Sequence, residues 1–448
     1  MEVSTESTRL EPATSQLDLA ATDVGSVFVS NYPPYSFWSE EAIPAAERAL
    51  AEPGDPDTPL GLYLHIPFCR KRCRFCYFRV FTDKNAEQIQ GYLDALGSEV
   101  ERLAEMPAVR DRKLHFVYFG GGTPSYIAVK QLEPLVERLK AAMPWEHADE
   151  IAFECEPGTL TQSKLEALRE IGVTRLSLGI ENFDDEILEI NGRAHLSKEI
   201  ERVREWIHGL DFPQLNVDLI AGMLGETWET WRDTVQKTID YDPDSVTVYQ
   251  MELPFNTRFS RQKLSGEEIE IADWQTKRAW HAYAFEEFEK AGFEISSGYT
   301  VLRADRKSRF VYRDAVWSGA DMLGTGVSSF SHLRGVHFQN VDGWDDYMQR
   351  MQAGESPIQR AFVTTARERL VREMILTMKR GLVDLARLRD KHGEDPLALF
   401  ADRFDELEAQ GLLRRDGHRV ELERAGLLRV DQLLPGFYDE RYRNARYT

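Results

Sequence analysis

Six short runs of β-branched and aromatic residues constrain this chain more than any other feature. They are LYLHI (62–66), LHFVYF (114–119), EIAFEC (150–155), RLSLGI (175–180), LNVDLI (215–220) and SVTVYQ (245–250). Between them lie stretches such as EQIQGYLDALGSEVERLA and KQLEPLVERLKAAM, apolar at i, i+3, i+4 and i+7. Nearly continuous apolar strands alternating with helices mean buried parallel strands joined by βαβ units. The predicted fold class is therefore α/β, with a full or partial six-unit (β/α) barrel over residues 61–300.

The flanks divide by pattern. Residues 1–24 are polar and acidic, the composition of a mobile tail. Gly25–Trp38 is too aromatic for a linker, so 25–60 is expected to form an arm packed on the body. Residues 301–361 are expected to be loop-rich, centred on SGADMLGTGVSSFSH. Residues 362–448 read as helices with short strands and a hairpin turning at Asp416-Gly417, the pattern of a small winged-helix-type domain.

A formal net charge of −20 argues against a nucleic-acid or anionic-membrane binder, whose footprint is basic. No apolar run approaches the ~20 residues of a membrane span, and the N-terminus lacks a signal-peptide pattern. A cytoplasmic location is expected. Four cysteines in 448 residues are not a disulfide framework. Three of them, Cys69, Cys73 and Cys76, have the spacing Cys-x3-Cys-x2-Cys in the loop leaving the first strand. That loop belongs to the face of a (β/α) barrel where active sites lie. Three thiolates can hold a 4Fe–4S cluster and leave one iron open for a cofactor or substrate. A zinc knuckle is the bland alternative, but no fourth ligand stands at an evident spacing. Phe75, between the last two ligands, can shield a cluster face. Cys155, at a strand end, reads as a small core hydrophobe.

At LYLHIPFC, FGGGTP, the ExEP strand, the GxENF and NGRAH loops and DLIAG, the chain resembles the radical S-adenosylmethionine (SAM) superfamily. Within it, the chain is similar to the oxygen-independent coproporphyrinogen III oxidase (HemN-like) group from about Gly25 onward, including a HemN-like C-terminal domain. The resemblance implies that SAM chelates the open iron. It implies that Gly120, Gly121, Gly122 and Thr123 hold the methionine amine and that Tyr63 lies near the adenosyl group. It puts Glu154 by the sulfonium as a catalytic-site carboxylate and Arg193 on the SAM carboxylate, with Glu181 and Asp218 also contacting SAM. A reduced cluster then yields a 5′-deoxyadenosyl radical, with flavodoxin or ferredoxin as electron donor. Arg70, Lys71, Arg72 and Arg74 flank the cluster and can steer an acidic donor, or serve as solvated loop charges.

The chain also departs from the oxidases. Phe78 stands where they carry a further Cys, Glu181 where they carry Gln, and Val311-Tyr312 where a Phe-Gln pair helps hold a second SAM. Phe330 is placed against that second SAM, and 301–361 becomes a substrate and second-SAM region. Tyr312 and His332 are candidate proton-transfer groups by residue type. Tyr312, Trp317, Phe330 and the 32–38 segment suit an aromatic or unsaturated substrate by stacking, or ordinary packing. The departures favour a two-SAM carbon-transfer enzyme, a C-methyltransferase or cyclopropanase acting on a specialised metabolite, with a partner enzyme able to complete the reaction. The alternatives are coproporphyrinogen decarboxylation and a haem- or cluster-carrying chaperone.

Overall fold

The computed structural model describes residues 21–26, 28–443 and 445. Six parallel strands form its centre: β1 (Leu60–Ile66), β2 (Leu114–Gly121), β3 (Glu150–Cys155), β4 (Arg175–Glu181), β5 (Gln214–Ala221) and β6 (Ser245–Gln250). Each coincides with one of the six runs. The sheet continues beyond both edges. After β6 come β8 (Thr300–Arg303) and β7 (Phe293–Ile295), both antiparallel. On the other side β9 (Asp321–Thr325) pairs parallel to β1. It is followed by antiparallel β10 (Phe330–Leu333), β11 (Val336–Asn340) and β12 (Ile358–Val363). The order runs from β12 to β7 without a closing pair among the described residues, so the barrel is partial.

One expectation needs correction. Residues 301–361 are not loop-rich; they supply β9 to β12 and the helices Val311–Trp317 and Trp344–Ala353. Gly, Ser and Thr there read as loop. They sit in strands because close backbone approach demands small residues: a Cβ on Gly324 would meet the Phe330 carbonyl oxygen at 2.2 Å.

The strands are less uniform than their apolar runs imply. Leu62, Leu64 and Ile66 of β1 face the helices and are fully buried. Tyr63 and His65 point the other way, by the two-residue period of a strand. The same alternation sends Tyr118, Glu154, Ser177, Asn216, Asp218 and Thr247 toward the lumen. Asn216 ties its floor together, donating to Ser177 Oγ at 2.8 Å and Asp218 Oδ1 at 2.9 Å and accepting from Ser245 Oγ at 2.8 Å. The outer face is the packed core; the inner face is a polar chamber. Cys155 falls on the outer face, 5% exposed, in the core as expected.

The N-terminal arm crosses from the barrel to the C-terminal domain. Gly25 N–H donates to the Leu253 carbonyl, and Val29 N–H to Asp431 Oδ1. Tyr32, fully buried, packs on Tyr438 and Tyr442. Most of the tail assigned to 1–24 lies outside the described residues. Thr22 is described, and it is buried with its hydroxyl donating to the Ala272 carbonyl, so the ordered arm begins earlier than Gly25. Beyond it, a three-stranded sheet of β13 (Leu382–Asp384), β15 (Arg419–Leu422) and β14 (Leu413–Asp416) turns at Asp416-Gly417.

Lys379 locks this junction. It is fully buried, donates to the Val29 carbonyl, pairs with Asp431 at 3.2 Å and sits 3.4 Å from the Phe28 ring centroid. Removing one partner of a buried pair strands the other charge. We expect Lys379→Met to lower unfolding stability by about 3–5 kcal/mol, read as a lower denaturant midpoint, with the cluster-binding loop unaltered.

Candidate active site at the strand ends

The loop leaving β1 carries Cys69, Cys73 and Cys76, each half-buried and free of disulfides. It is braced at both ends. Cys69 N–H donates to the Phe81 carbonyl, Phe81 N–H to that of Pro67, and Arg74 N–H to that of Asn191. Phe75 turns inward against Ile187, Ile220, Met223 and Met251. Two side chains aim donors at sulfur: Thr123 Oγ1 lies 3.3 Å from Cys69 Sγ, and Arg193 Nη1 3.3 Å from Cys73 Sγ. Such donors suit thiolates.

β2 ends in the glycine run. Gly122 N–H donates to the Ile66 carbonyl and Thr123 N–H to that of Phe68, which ties the run to the cysteine loop. Gly121 has φ +113°, a conformation that side chains rarely adopt. A Cβ there would fall 2.6 Å from the His65 ring. The backbone therefore comes close to whatever occupies the strand ends.

Glu154 is the carboxylate nearest this cradle. Its Oε1 accepts from Tyr118 Oη at 2.7 Å and its Oε2 from Gly121 N at 3.1 Å. Burial raises its pKa to about 7, and Asp218 adds to the rise against the two hydrogen bonds. Glu181, in a left-handed conformation at φ +68°, is also raised to about 7 by burial, with the Arg193 charge opposing and Asp218 and Glu154 adding. Arg193 Nη1 stands 3.6 Å from Glu181, and Nη2 donates to the Gly179 carbonyl. Its Nε is buried without a partner. Asp218 accepts from Asn216 and Ser177, and burial raises its carboxyl as well.

Behind the Arg193 loop stands a support absent from the sequence reading. His195 Nδ1 and Glu156 Oε1 are 2.8 Å apart, and Arg70 pairs with Glu156 at 3.1 Å and donates to the Ala194 carbonyl. Burial raises Glu156, but His195, Arg193 and Arg70 outweigh it and hold its carboxyl at about 2. Arg70 is thus committed to this support and is not a free docking charge. The ExEP strand and NGRAH loop contain both partners; nothing in their spacing shows that they meet.

The chamber wall is tyrosine. Tyr63 stacks on Tyr118 with ring centroids 5.8 Å apart, and Tyr312 lies 4.2 Å from Tyr118 on its other side. The hydroxyls of Tyr77 and Tyr249 feel the charge of Glu154, although both rings remain about two-fifths exposed. Tyr312 therefore joins the Glu154 cluster. Phe330 stands with the arm, 4.3 Å from Tyr35 and 5.7 Å from Trp38. His332 is buried against Trp38 and His337; burial, with Arg372 and His337, drives its pKa well below the imidazole range, so it is neutral. Trp317 packs in the core shared with the C-terminal domain, near Lys379, rather than in the chamber.

Comparison with known proteins places this arrangement. A family model described as the radical SAM superfamily matches residues 63–238, and one described as the HemN C-terminal domain matches 364–429. Residues 63–238 thus carry a radical SAM superfamily domain. It is 27% identical to an oxygen-independent coproporphyrinogen III oxidase of Synechocystis over 91% of each chain. It is 26% identical to the heme chaperone HemW of Bacillus subtilis over 84% of this chain and 99% of that one. In fold it matches the solved structure of HemN, coproporphyrinogen III oxidase from Escherichia coli, with TM-score 0.79 at 23% identity, covering 92% and 96% of the two chains.

The cofactors of this radical SAM protein are a 4Fe–4S cluster and SAM, and its residues fit both. Among the described residues no three His, Cys, Asp or Glu converge on a single metal ion. A cubane makes no such demand, since each thiolate binds a different iron. Two thiols meet donors, a glycine run leaves room where a Cβ would intrude, and Arg193 keeps a buried N–H unpaired. Cys69, Cys73 and Cys76 would hold the cluster; Gly120–Thr123, Glu154 and Arg193 would hold SAM. The sequence pointed to these residues and to Glu181, Asp218, Tyr63 and Tyr312. It missed Tyr118, whose alternation with Tyr63 on a neighbouring strand was the available signal.

Proposed function

We propose that this protein is an enzyme that cleaves SAM reductively and turns the radical on a small molecule held in the tyrosine-walled chamber. Oxidative decarboxylation of coproporphyrinogen III is the reaction favoured. The observation carrying this reading is that the cysteine loop, glycine run, Glu154 and Arg193 open onto one chamber, in a chain aligned over nine-tenths of its length with such an oxidase. Cys69, Cys73 and Cys76 would hold a 4Fe–4S cluster that, when reduced, would supply the electron for reductive cleavage of SAM.

The chain's own residues do the rest. Arg193 offers guanidinium N–H groups to a carboxylate. Glu154, oriented by Tyr118 and the Gly121 amide, presents a carboxylate to a sulfonium cation. Tyr63, Tyr118 and Tyr312 offer flat faces to a macrocycle or adenine. Lys71, Arg72 and Arg74 remain on the loop to attract an acidic flavodoxin or ferredoxin.

A second reading is carbon transfer from a second SAM to an unsaturated carbon, giving a methyl or cyclopropane group. The observation favouring it is electrostatic: Glu154, Glu181 and Asp218 share one lumen, where burial first, and then the Asp218 charge, raise the Glu154 and Glu181 carboxyls, an environment suited to more than one sulfonium. Glu181 is the residue that replaces the oxidases' Gln.

Anaerobically reconstituted protein, dithionite and methyl-deuterated SAM separate these readings. With coproporphyrinogen III present, CO2 release with unlabelled 5′-deoxyadenosine is expected. Deuterium in 5′-deoxyadenosine together with S-adenosylhomocysteine would move the assignment to carbon transfer. No SAM cleavage at all would leave a chaperone role, as the HemW likeness allows.

A further inference from the structure

Arg372, on the helix Ala366–Met378, is 5% exposed, yet its guanidinium is only partly used. Nε donates to Asn31 Oδ1 at 2.7 Å and Nη1 to the Val316 carbonyl at 3.3 Å. Nη2 is buried without a partner. No carboxylate among the described residues lies within ion-pair distance of it. The adjacent acid, Glu373, is committed to Lys391 at 2.6 Å and His392 at 3.0 Å. Several other buried cations have an acid close by: Lys379 has Asp431, Arg313 has Asp314, and Arg175 has Glu150 at 3.8 Å. A buried cation without an anion is costly.

The surroundings supply a place for that anion. The Arg372 charge acts on Tyr35 and Tyr312. Tyr312 packs tilted against Tyr118, which bonds Glu154, while Tyr35 packs on Phe330. His332, neutral and with Nδ1 unpartnered, stands by the same guanidinium. Tyrosines next to the Glu154 cradle thus feel the charge of an Arg fork with one unsatisfied nitrogen.

We propose that Arg372 binds a carboxylate of the substrate through its unpartnered Nη2. This rests on the reading that the chamber holds the substrate, and it narrows the substrate class to carboxylic acids. The guanidinium presents fixed N–H groups suited to carboxylate geometry, and low dielectric strengthens the contact.

The test measures binding to reconstituted holoenzyme with SAM present. The probes are coproporphyrin III, glutarate and dimethyl glutarate. The variants are Arg372→Met and Arg372→Lys, with iron content and melting temperature followed in parallel. We expect Arg372→Met to weaken both acids by roughly 30-fold and leave the ester unchanged. Arg372→Lys, a point charge without the fork, should lose less, and it carries the test alone if the Met variant does not fold. Wild-type protein that ignores coproporphyrin III but binds glutarate through Arg372 would uphold the site and sink the tetrapyrrole reading. The proposal is overturned if wild type binds neither acid. It is overturned too if the folded variants bind acids as wild type does, or weaken acid and ester alike.

Discussion

Protein in which Cys69, Cys73 and Cys76 are all replaced by alanine takes up no iron–sulfur cluster and forms no 5′-deoxyadenosine above background. The loss in turnover is at least roughly 1,000-fold, about 4 kcal/mol of barrier. The reason is local. Phe75 packs against Ile187 and Met251, and backbone bonds from Cys69 to Phe81 and Arg74 to Asn191 brace the loop. None of these requires a thiol, so the loop survives while the ligands vanish. Iron and sulfide analysis, the visible absorption of the reconstituted protein, and anaerobic SAM cleavage read the outcome. Full turnover in the triple variant, or zinc in anaerobically purified wild type, would defeat the assignment.

Gly121→Val should separate cluster binding from SAM binding. The residue sits at φ +113°, where a β-branched side chain is strained by about 1–3 kcal/mol, and its Cβ would strike the His65 ring. Relief requires moving the strand end, which carries away the amide that Glu154 accepts. Iron content should stay at the wild-type level. SAM cleavage should fall by roughly 100-fold, about 2.7 kcal/mol, with weaker SAM binding measured directly. Gly354→Ala is the control: φ is +71° at a helix end with nothing within 4 Å of the added Cβ, so strain appears without loss of activity. Wild-type SAM affinity in Gly121→Val would remove the glycine run from the site.

Much of this site was legible because its signals are local. The three cysteines lie within eight residues of one another, and the glycine run follows a strand directly. Other features were not legible because their partners are remote. Arg70 reads as one of four loop cations, and only the fold brings it to Glu156, 86 residues on. Arg372 looks like any helical arginine, and its missing anion is visible only once Asn31 and Val316 have claimed two of its nitrogens. His332 is a candidate for proton transfer by residue type; only the fold shows it buried against Trp38 and His337, where burial lowers its pKa.

The amino-acid sequence alone determined the six parallel strands, the loop that carries the thiolates and the superfamily, since period, spacing and adjacent motifs survive in one dimension. Tertiary structure decided that 301–361 joins the sheet, that the inner strand faces form a polar chamber, and that an arm from residue 22 spans to the C-terminal domain. Those depend on contacts between residues hundreds of positions apart, where burial and charge are set by neighbours that no local pattern encodes.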